Sequence, residues 1–567
     1  MMPVQVTRSA EWRRIDVLPT RSPESAASPE FTAALSRRLR LPGSTAELFP
    51  VQAASLYEAV RCRGLYAPLP CGAGKTLVTY LLPCMFTRAW PAVEWRAVLM
   101  APAKLVKRKG KKPSKTELEF EALAKDWGAV PQWTPDRWVS YESLGRTDGK
   151  DLLEQLTPNL LVLDEAHKCK AGSAAVTKRI KRYLKLHPNT IVIALTGTPI
   201  KRSLRDFAHI LNWCLRDGSP LPTNWSDLEI WSECIDEFRA GDLDMFRSRP
   251  NPGALLDWAT QREIDTLSPI EAARTAVGRR IRRTYGVVTL PPGDETCSAD
   301  LLIEVSEVKQ PEIIQSALNT LHTLWELPNG QLLAEGCEIY RHARELALGY
   351  YYVWAETPPT DWLEARRNWN SFVRAKLVRS RKYDSPDEIA KAYPNSPERL
   401  AWLAVRDSYD PKTVPVWLDT SLVQKATEWL KLGGTVWTDS TAHGECLHSM
   451  SGVPYFRDQG RDQGGQLITE YTGPNAICSA DSIGEGFNLQ RFNRALLVSC
   501  PPNNLQLEQI LSRHHRRGQT ADEVKFELWL GCKQHAADWE YCQRDVNLLH
   551  GLFSGRPKLT IARIVEQ

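Results

Sequence analysis

Leu65-Tyr66-Ala67-Pro68-Leu69-Pro70-Cys71-Gly72-Ala73-Gly74-Lys75-Thr76 runs from an apolar segment through a glycine-rich turn into a Lys-Thr pair that opens an apolar helical stretch. The order predicts a buried strand, a phosphate-binding loop and a helix. Glycines let successive backbone N–H groups converge on phosphate oxygens, and the helix N-terminus adds its dipole. Lys75 can reach the β- and γ-phosphates of ATP, and the Thr76 hydroxyl can ligate Mg²⁺. Gly72, Gly74, Lys75 and Thr76 are therefore the first candidate nucleotide contacts. Leu69 stands where the usual pattern has its first glycine.

Downstream, the runs Ala97–Ala101, Leu160–Leu163 and Thr190–Leu195 are continuous apolar segments bounded by turn residues, with helical stretches between them. That alternation predicts a parallel α/β sheet. The third of these four strands runs straight into Asp164-Glu165-Ala166-His167. A carboxylate at the C-terminal end of a buried strand, beside a phosphate loop, suits a Mg²⁺ partner, so Asp164 is the metal-side candidate. Glu165 is the candidate base for an attacking water. The fourth strand ends in Leu195-Thr196-Gly197-Thr198-Pro199, whose small hydroxylated residues suit sensing of a γ-phosphate, or simply a helix cap. Gln52, about two helical turns and a strand upstream of the loop, offers an amide suited to an adenine edge.

Composition bounds the alternatives. The 567 residues are globular in make-up, and a net charge of +5 is too small to identify a nucleic-acid binder by itself. Thirteen cysteines with no C-x-x-C pair argue against a disulfide framework or a zinc ribbon. His443, Cys446 and His448 lack a fourth ligand at suitable spacing. No apolar run is long enough to span a bilayer, and the first residues lack the apolar core of a signal peptide. A cytoplasmic chain of a bacterial or phage-infected cell is the expectation. Twenty tryptophans are unusually many. Trp354, Trp362, Trp369, Trp402 and Trp417 recur at helical spacings beside Leu and Arg, which favours packing over base stacking.

Residues 1–45 read as an N-terminal arm and 46–215 as the first α/β lobe. Residues 216–420 read as a helical insertion, 421–545 as a second α/β lobe and 546–567 as a C-terminal tail. In the second lobe, Thr435–Trp437, Ala476–Ser479, Ala495–Ser499 and Val524–Trp529 are the expected strands. Gly484-Glu485-Gly486-Phe487-Asn488-Leu489 follows one of them. Gln509, Arg513 and Arg516 fall at i, i+4 and i+7 and share one helix face. Two guanidiniums there would serve as arginine fingers for the nucleotide on the first lobe.

In order along residues 46–530, the chain resembles superfamily II nucleic-acid motors, specifically the Swi/Snf-like DNA translocases. The resemblance rests on Pro50-Val51-Gln52, the GAGKT loop, Ala101-Pro102, Val139-Ser140-Tyr141-Glu142, DEAH and LTGTPI. Arg282-Arg283-Thr284, Leu290-Pro291-Pro292, GEGFNL and the closing Q-x-x-x-R-x-x-R-x-G-Q complete it. Ile483 and Ser512 stand where the family usually has glycines, and Arg517 where it has an isoleucine. The resemblance implies an α/β fold of two RecA-like parallel-sheet lobes with a helical insertion between them. It implies ATP and Mg²⁺ as cofactors, with ATP in the cleft between the lobes and duplex or forked DNA across both. On the matching positions it implies Gly486 at the nucleotide, and Ser140, Tyr141 and Asn488 at the nucleic acid.

Two basic stretches are candidate backbone contacts. Lys104, Lys107, Arg108, Lys109, Lys111, Lys112 and Lys115 follow the second strand with no acid among them. Arg366, Arg367, Arg374, Lys376, Arg379, Arg381 and Lys382 are interleaved with Trp369, Phe372 and Tyr383. Either run can also be a solvated face. The leading expectation is a DNA-dependent ATPase moving on duplex or forked DNA. A strand-separating DNA or RNA helicase is an alternative, as is an ATP-gated scaffold recruiting a nuclease, replication or recombination partner.

Overall fold

The computed structural model describes the chain apart from residues 1–3, 22–26, 71, 109–112, 130–132, 173, 198–202, 238–248, 291–296, 334, 380–382, 384, 485, 554–556 and 567, and the side chains at 378 and 379. Cys71, Lys109, Lys111, Lys112, Thr198, Pro199, Pro291, Pro292, Arg379, Arg381, Lys382 and Glu485 thus lie outside the described residues or side chains. The chain forms two compact units, 1–296 with 544–560 and 297–543 with 561–567.

The first unit is built on five strands: β1 (Leu65–Pro68), β2 (Ala97–Ala101), β3 (Trp138–Ser140), β4 (Leu160–Asp164) and β5 (Ile191–Thr196). They are all parallel, in the order β1-β5-β4-β2-β3. Alternate side chains of each strand feed opposite layers, as the period-2 geometry of a strand requires. Leu160 and Val162 join the layer of helices Pro50–Cys62 and Lys75–Ala89. Leu161 and Leu163 join the other layer, with Ile180, Leu211, Val277 and Leu552. Both faces are covered, so the strands read as unbroken apolar runs in the sequence. The arm is packed too: Trp12 stacks on Trp258 with ring centroids 5.4 Å apart and donates its indole N–H to the Ala254 carbonyl.

The second unit carries β6 (Asp300–Glu307), β7 (Tyr350–Trp354), β8 (Thr413–Trp417), β9 (Gly434–Thr438), β10 (Tyr455–Phe456), β11 (Asn475–Ser479), β12 (Arg494–Leu497), β13 (Glu523–Leu530) and β14 (Arg563–Glu566). Seven form a parallel sheet in the order β10-β11-β9-β12-β13-β6-β14, and β7 pairs antiparallel with β8.

The stretch 216–420, read as one helical insertion, divides between the units, and β6 within it pairs along its whole length with β13. Charge hid this strand. Asp300, Glu304 and Glu307 interrupt its apolar run, and only in the sheet does Glu304 meet Lys525 at 2.8 Å. The helical part of the stretch in the second unit is a module on the β7–β8 ribbon. There Trp362 contacts the rings of Trp354, Trp402 and Tyr409, so these tryptophans serve packing. Residues 546–567, read as a tail, contain the end of the helix Lys533–Phe553 and the edge strand β14. Among the described residues no helix is long and apolar enough to cross a membrane.

Candidate nucleotide site and nucleic-acid faces

The loop after β1 is held from behind by Gln52. Its Oε1 accepts the Phe49 backbone N–H at 2.8 Å, closing the first turn of the helix Pro50–Cys62. Its Nε2 donates to the carbonyls of Ala73 and Gly74, both at 3.3 Å. Both ends of the amide are therefore engaged by the protein, and Gln52 is 2% exposed. The expectation that it reads an adenine edge is replaced here by a buckle on the phosphate loop. Gly74 lies at φ +74°, a backbone conformation that favours glycine, and a Cβ there would also displace the Gln52 amide, 2.0 Å away. Gly72 precedes it, and Thr76 follows in the first turn of the helix Lys75–Ala89. The Lys75 ammonium donates to the carbonyls of Leu69 at 3.1 Å and Pro70 at 3.4 Å. Such an ammonium is positioned to exchange carbonyl oxygens for phosphate oxygens.

At the end of β4, Asp164 Oδ1 accepts the Glu165 backbone N–H at 3.1 Å, and the Asp164 carbonyl accepts the Tyr141 hydroxyl at 2.8 Å. Glu165 has φ 53° and ψ 50°, a left-handed conformation that costs a glutamate about 1 kcal/mol or more and so marks a residue held for a purpose. Its Oε2 lies 3.3 Å from His167 Nδ1, which is 3.2 Å from the Thr196 hydroxyl at the end of β5. Carboxylate and hydroxyl thus lie against the same imidazole nitrogen at the ends of adjacent strands. Desolvation, and next the charge of Glu165, push the Asp164 carboxyl up to about 7, with Lys75 pulling the other way. A crowded carboxylate pair with a threonine hydroxyl is a hard-oxygen donor set, and it fits Mg²⁺.

The strand-end residues taken as nucleic-acid contacts face inward. Ser140 is 2% exposed and caps the helix Tyr141–Gly145 through the Ser143 N–H, and Tyr141 is 4% exposed with its hydroxyl on Asp164. Tyr141 supports the carboxylate strand, and Ser140 caps the helix that Tyr141 opens. The sequence signal for them was a strand-end motif, which does not reveal which way its side chains point.

The basic run after β2 loses part of its charge on folding. The helix Lys115–Leu123 brings Glu117 onto Arg108 in a bidentate pair, 2.8 and 3.0 Å from Nε to the two oxygens. The Arg108 guanidinium holds Glu117 down to about 2. Lys115 pairs with Glu119 at 3.6 Å. Lys107 remains exposed and Lys104 half-buried. In the helical module, Lys376 is half-buried over the rings of Phe372 and Tyr393, at 5.2 and 4.7 Å, while Arg374 is exposed.

In the second unit the two late motifs interlock. Gly486 takes φ +89°, which a side chain would strain. Arg513, 5% exposed, donates to the carbonyls of Gln509 and Phe487, each at 3.1 Å, and its own carbonyl accepts the Leu489 N–H at 3.0 Å. Arg516 is half-buried and donates to the Asn488 side chain, and Gln509 is buried. Arg513 therefore fixes the 487–489 loop, while Arg516 is the more open of the two. Sequence reading missed His167, which lies between Glu165 and Thr196, and His514, whose Nδ1 donates to the Phe492 carbonyl and whose Nε2 accepts the Trp437 indole N–H beside the Thr435 hydroxyl. The only signal was an imidazole beside an assigned motif residue.

Residues 138–248 match the family model of the SNF2-related domain, a segment that spans β3, β4 and β5 with Asp164, Glu165 and Thr196. A comparison with curated proteins finds no match. That segment sits in the parallel sheet behind the Gly-Lys-Thr loop, and over it the chain is similar to the Swi/Snf-like superfamily II helicases and translocases.

Proposed function

We propose that the protein hydrolyses ATP to move along duplex or forked DNA. The observation that carries this reading is the close set of Glu165, His167 and Thr196 at the ends of β4 and β5, beside an Asp164 carboxyl that feels the charge of Lys75. Two carboxylates, an imidazole and a hydroxyl at the C-terminal ends of adjacent strands support a base and a cation ligand there. Lys75 binds the β- and γ-phosphates, and the loop from Gly72 to Thr76 supplies backbone donors. Thr76 and Asp164 would hold Mg²⁺, which would supply charge neutralisation at the phosphates. Glu165 orients and deprotonates the attacking water, and His167 keeps that carboxylate in register with Thr196. Arg516, Arg513 and Gln509 of the second unit, with Gly486, complete the turnover machinery, the guanidiniums stabilising charge in the transition state.

The nucleic-acid contacts within this reading are Lys104, Lys107, Lys109 and Asn488, acting on the backbone and so without sequence preference. An ATPase assay with no nucleic acid, single strands, duplex, forks and RNA tests it. Duplex or forks should stimulate turnover most. Stimulation by RNA alone replaces the reading with an RNA helicase, and no turnover under any condition leaves only an ATP-gated scaffold.

A further inference from the structure

We propose that the helix Thr360–Arg379 of the module on the β7–β8 ribbon is a second, separate grip on duplex DNA, made by Arg367, Asn370 and Arg374. It rests on the reading above of the protein as a DNA motor.

One side of this helix is committed to packing. Trp362 is 2% exposed, Ala365 and Val373 are buried, and Trp369 stacks on Phe372 with centroids 5.7 Å apart. The helices Pro386–Ala392 and Pro397–Val405 pack along it. Lys376 belongs to this side, since its ammonium lies over two rings. The opposite side carries Leu363, Arg367, Asn370 and Arg374 at i, i+4, i+7 and i+11, and all four are exposed.

Charge singles this face out. Several exposed arginines meet a carboxylate, as Arg8 meets Asp257 at 2.8 Å, Arg108 meets Glu117, and Arg563 meets Glu523 at 3.1 Å. Arg367 and Arg374 meet none among the described residues. The only acids on the helix, Asp361 and Glu364, stand in its first two turns, where they suit the helix dipole. A face of guanidiniums and an amide, with no acid after Glu364, complements an array of phosphates.

Spacing favours a duplex. Arg367 and Arg374 are two turns apart, about 10 Å along the axis. That is comparable to the groove widths of B-DNA, about 6 and 12 Å, so two long side chains can take phosphates on opposite sides of a groove. The aromatic packing behind the helix holds the pair rigid, which limits the entropy lost on binding.

The test uses the full-length chain carrying Lys75→Ala, so that ATP turnover does not complicate binding. Affinity for a blunt duplex, a single strand and an RNA of equal length is measured across a salt series. A second chain adds Arg367→Glu and Arg374→Glu, and a third adds Arg367→Lys and Arg374→Lys. Thermal unfolding of each checks that the module is intact. Duplex affinity should fall about tenfold or more in the glutamate chain. The log–log salt slope should flatten by about 2, the value for two lost phosphate contacts. The lysine chain should retain binding, because phosphate contacts read charge. Unchanged duplex affinity and slope in a folded glutamate chain, while the parent binds duplex, overturns this face and leaves the motor reading standing. A loss confined to single strands or RNA overturns the duplex as its occupant. A parent that binds no nucleic acid overturns both readings.

Discussion

Glu165 is held in a left-handed backbone conformation with its carboxylate 3.3 Å from His167 Nδ1, so backbone and a neighbouring imidazole together set its position. The isosteric change Glu165→Gln keeps the size and most contacts but cannot accept the water's proton. ATP affinity measured by equilibrium binding should stay close to wild type, while turnover falls about 10²-fold or more. Lys75→Ala should weaken nucleotide binding and abolish turnover together, since it removes charge from the β- and γ-phosphates. Wild-type turnover in Glu165→Gln would refute the base assignment. The two arginines should separate. Arg516→Ala is expected to cost about 10³ in nucleic-acid-stimulated turnover with little change in fold. Arg513→Ala should also lower the melting temperature, because Arg513 is buried and anchors the Phe487 carbonyl. Equal melting temperatures for the two variants would show that Arg513 has no structural part.

At the scale of elements, close approach is set by two glycines in the first unit. A Cβ on Gly278, in the helix Pro269–Arg283, would meet the Gly551 carbonyl oxygen at 2.2 Å, and one on Gly551 would meet Arg274 Cδ at 2.9 Å. The segment 544–560 packs on this helix through that gap, with Arg282 donating to the Leu552 carbonyl at 2.9 Å. Gly278→Val should therefore destabilise the unit by about 1–3 kcal/mol, the usual cost of overpacking, read as a fall in the urea midpoint. The strands of the first sheet were legible because both their faces are buried, leaving continuous apolar runs such as Leu160–Leu163. β6 and β14 were not. Each carries charges that sequence alone assigns to water, and their partners, Lys525 and Glu523, lie far away in the chain.

For the whole molecule, acid should act on the second unit through three buried histidines. Burial is the main cause for each, pulling His443 and His514 down to about 4 and His535 to about 3. The unfolded chain takes up protons near 6.5 that the folded unit refuses, so stability is present above that pH and falls as pH drops below it. At pH 5.5 each histidine removes about 1 kcal/mol, and the loss levels off near the folded values. Calorimetry at pH 7.5 and 5.5 should show the transition of the second unit moving down. A transition that does not move would mean that these imidazoles are open to protons in the native state.

The helix Asn504–His514 ends before Arg516, so the expected Q-x-x-x-R-x-x-R face is shared by Gln509 and Arg513 alone. What sequence by itself determined is local placement, a Gly-Lys-Thr turn between strand and helix and an Asp-Glu pair at a strand end. Those readings hold because backbone conformation and apolar periodicity are written within a few residues. Tertiary structure decided where side chains point and which charges survive. It turned Gln52 from a base reader into a buckle on Gly74, and Ser140 and Tyr141 from contacts into supports. It spent Arg108 on Glu117 and Lys376 on two aromatic rings, and left Arg367 and Arg374 facing outward. The physical reason is that a side chain's partner is set by what packs against it, and packing brings together residues that spacing along the chain does not relate.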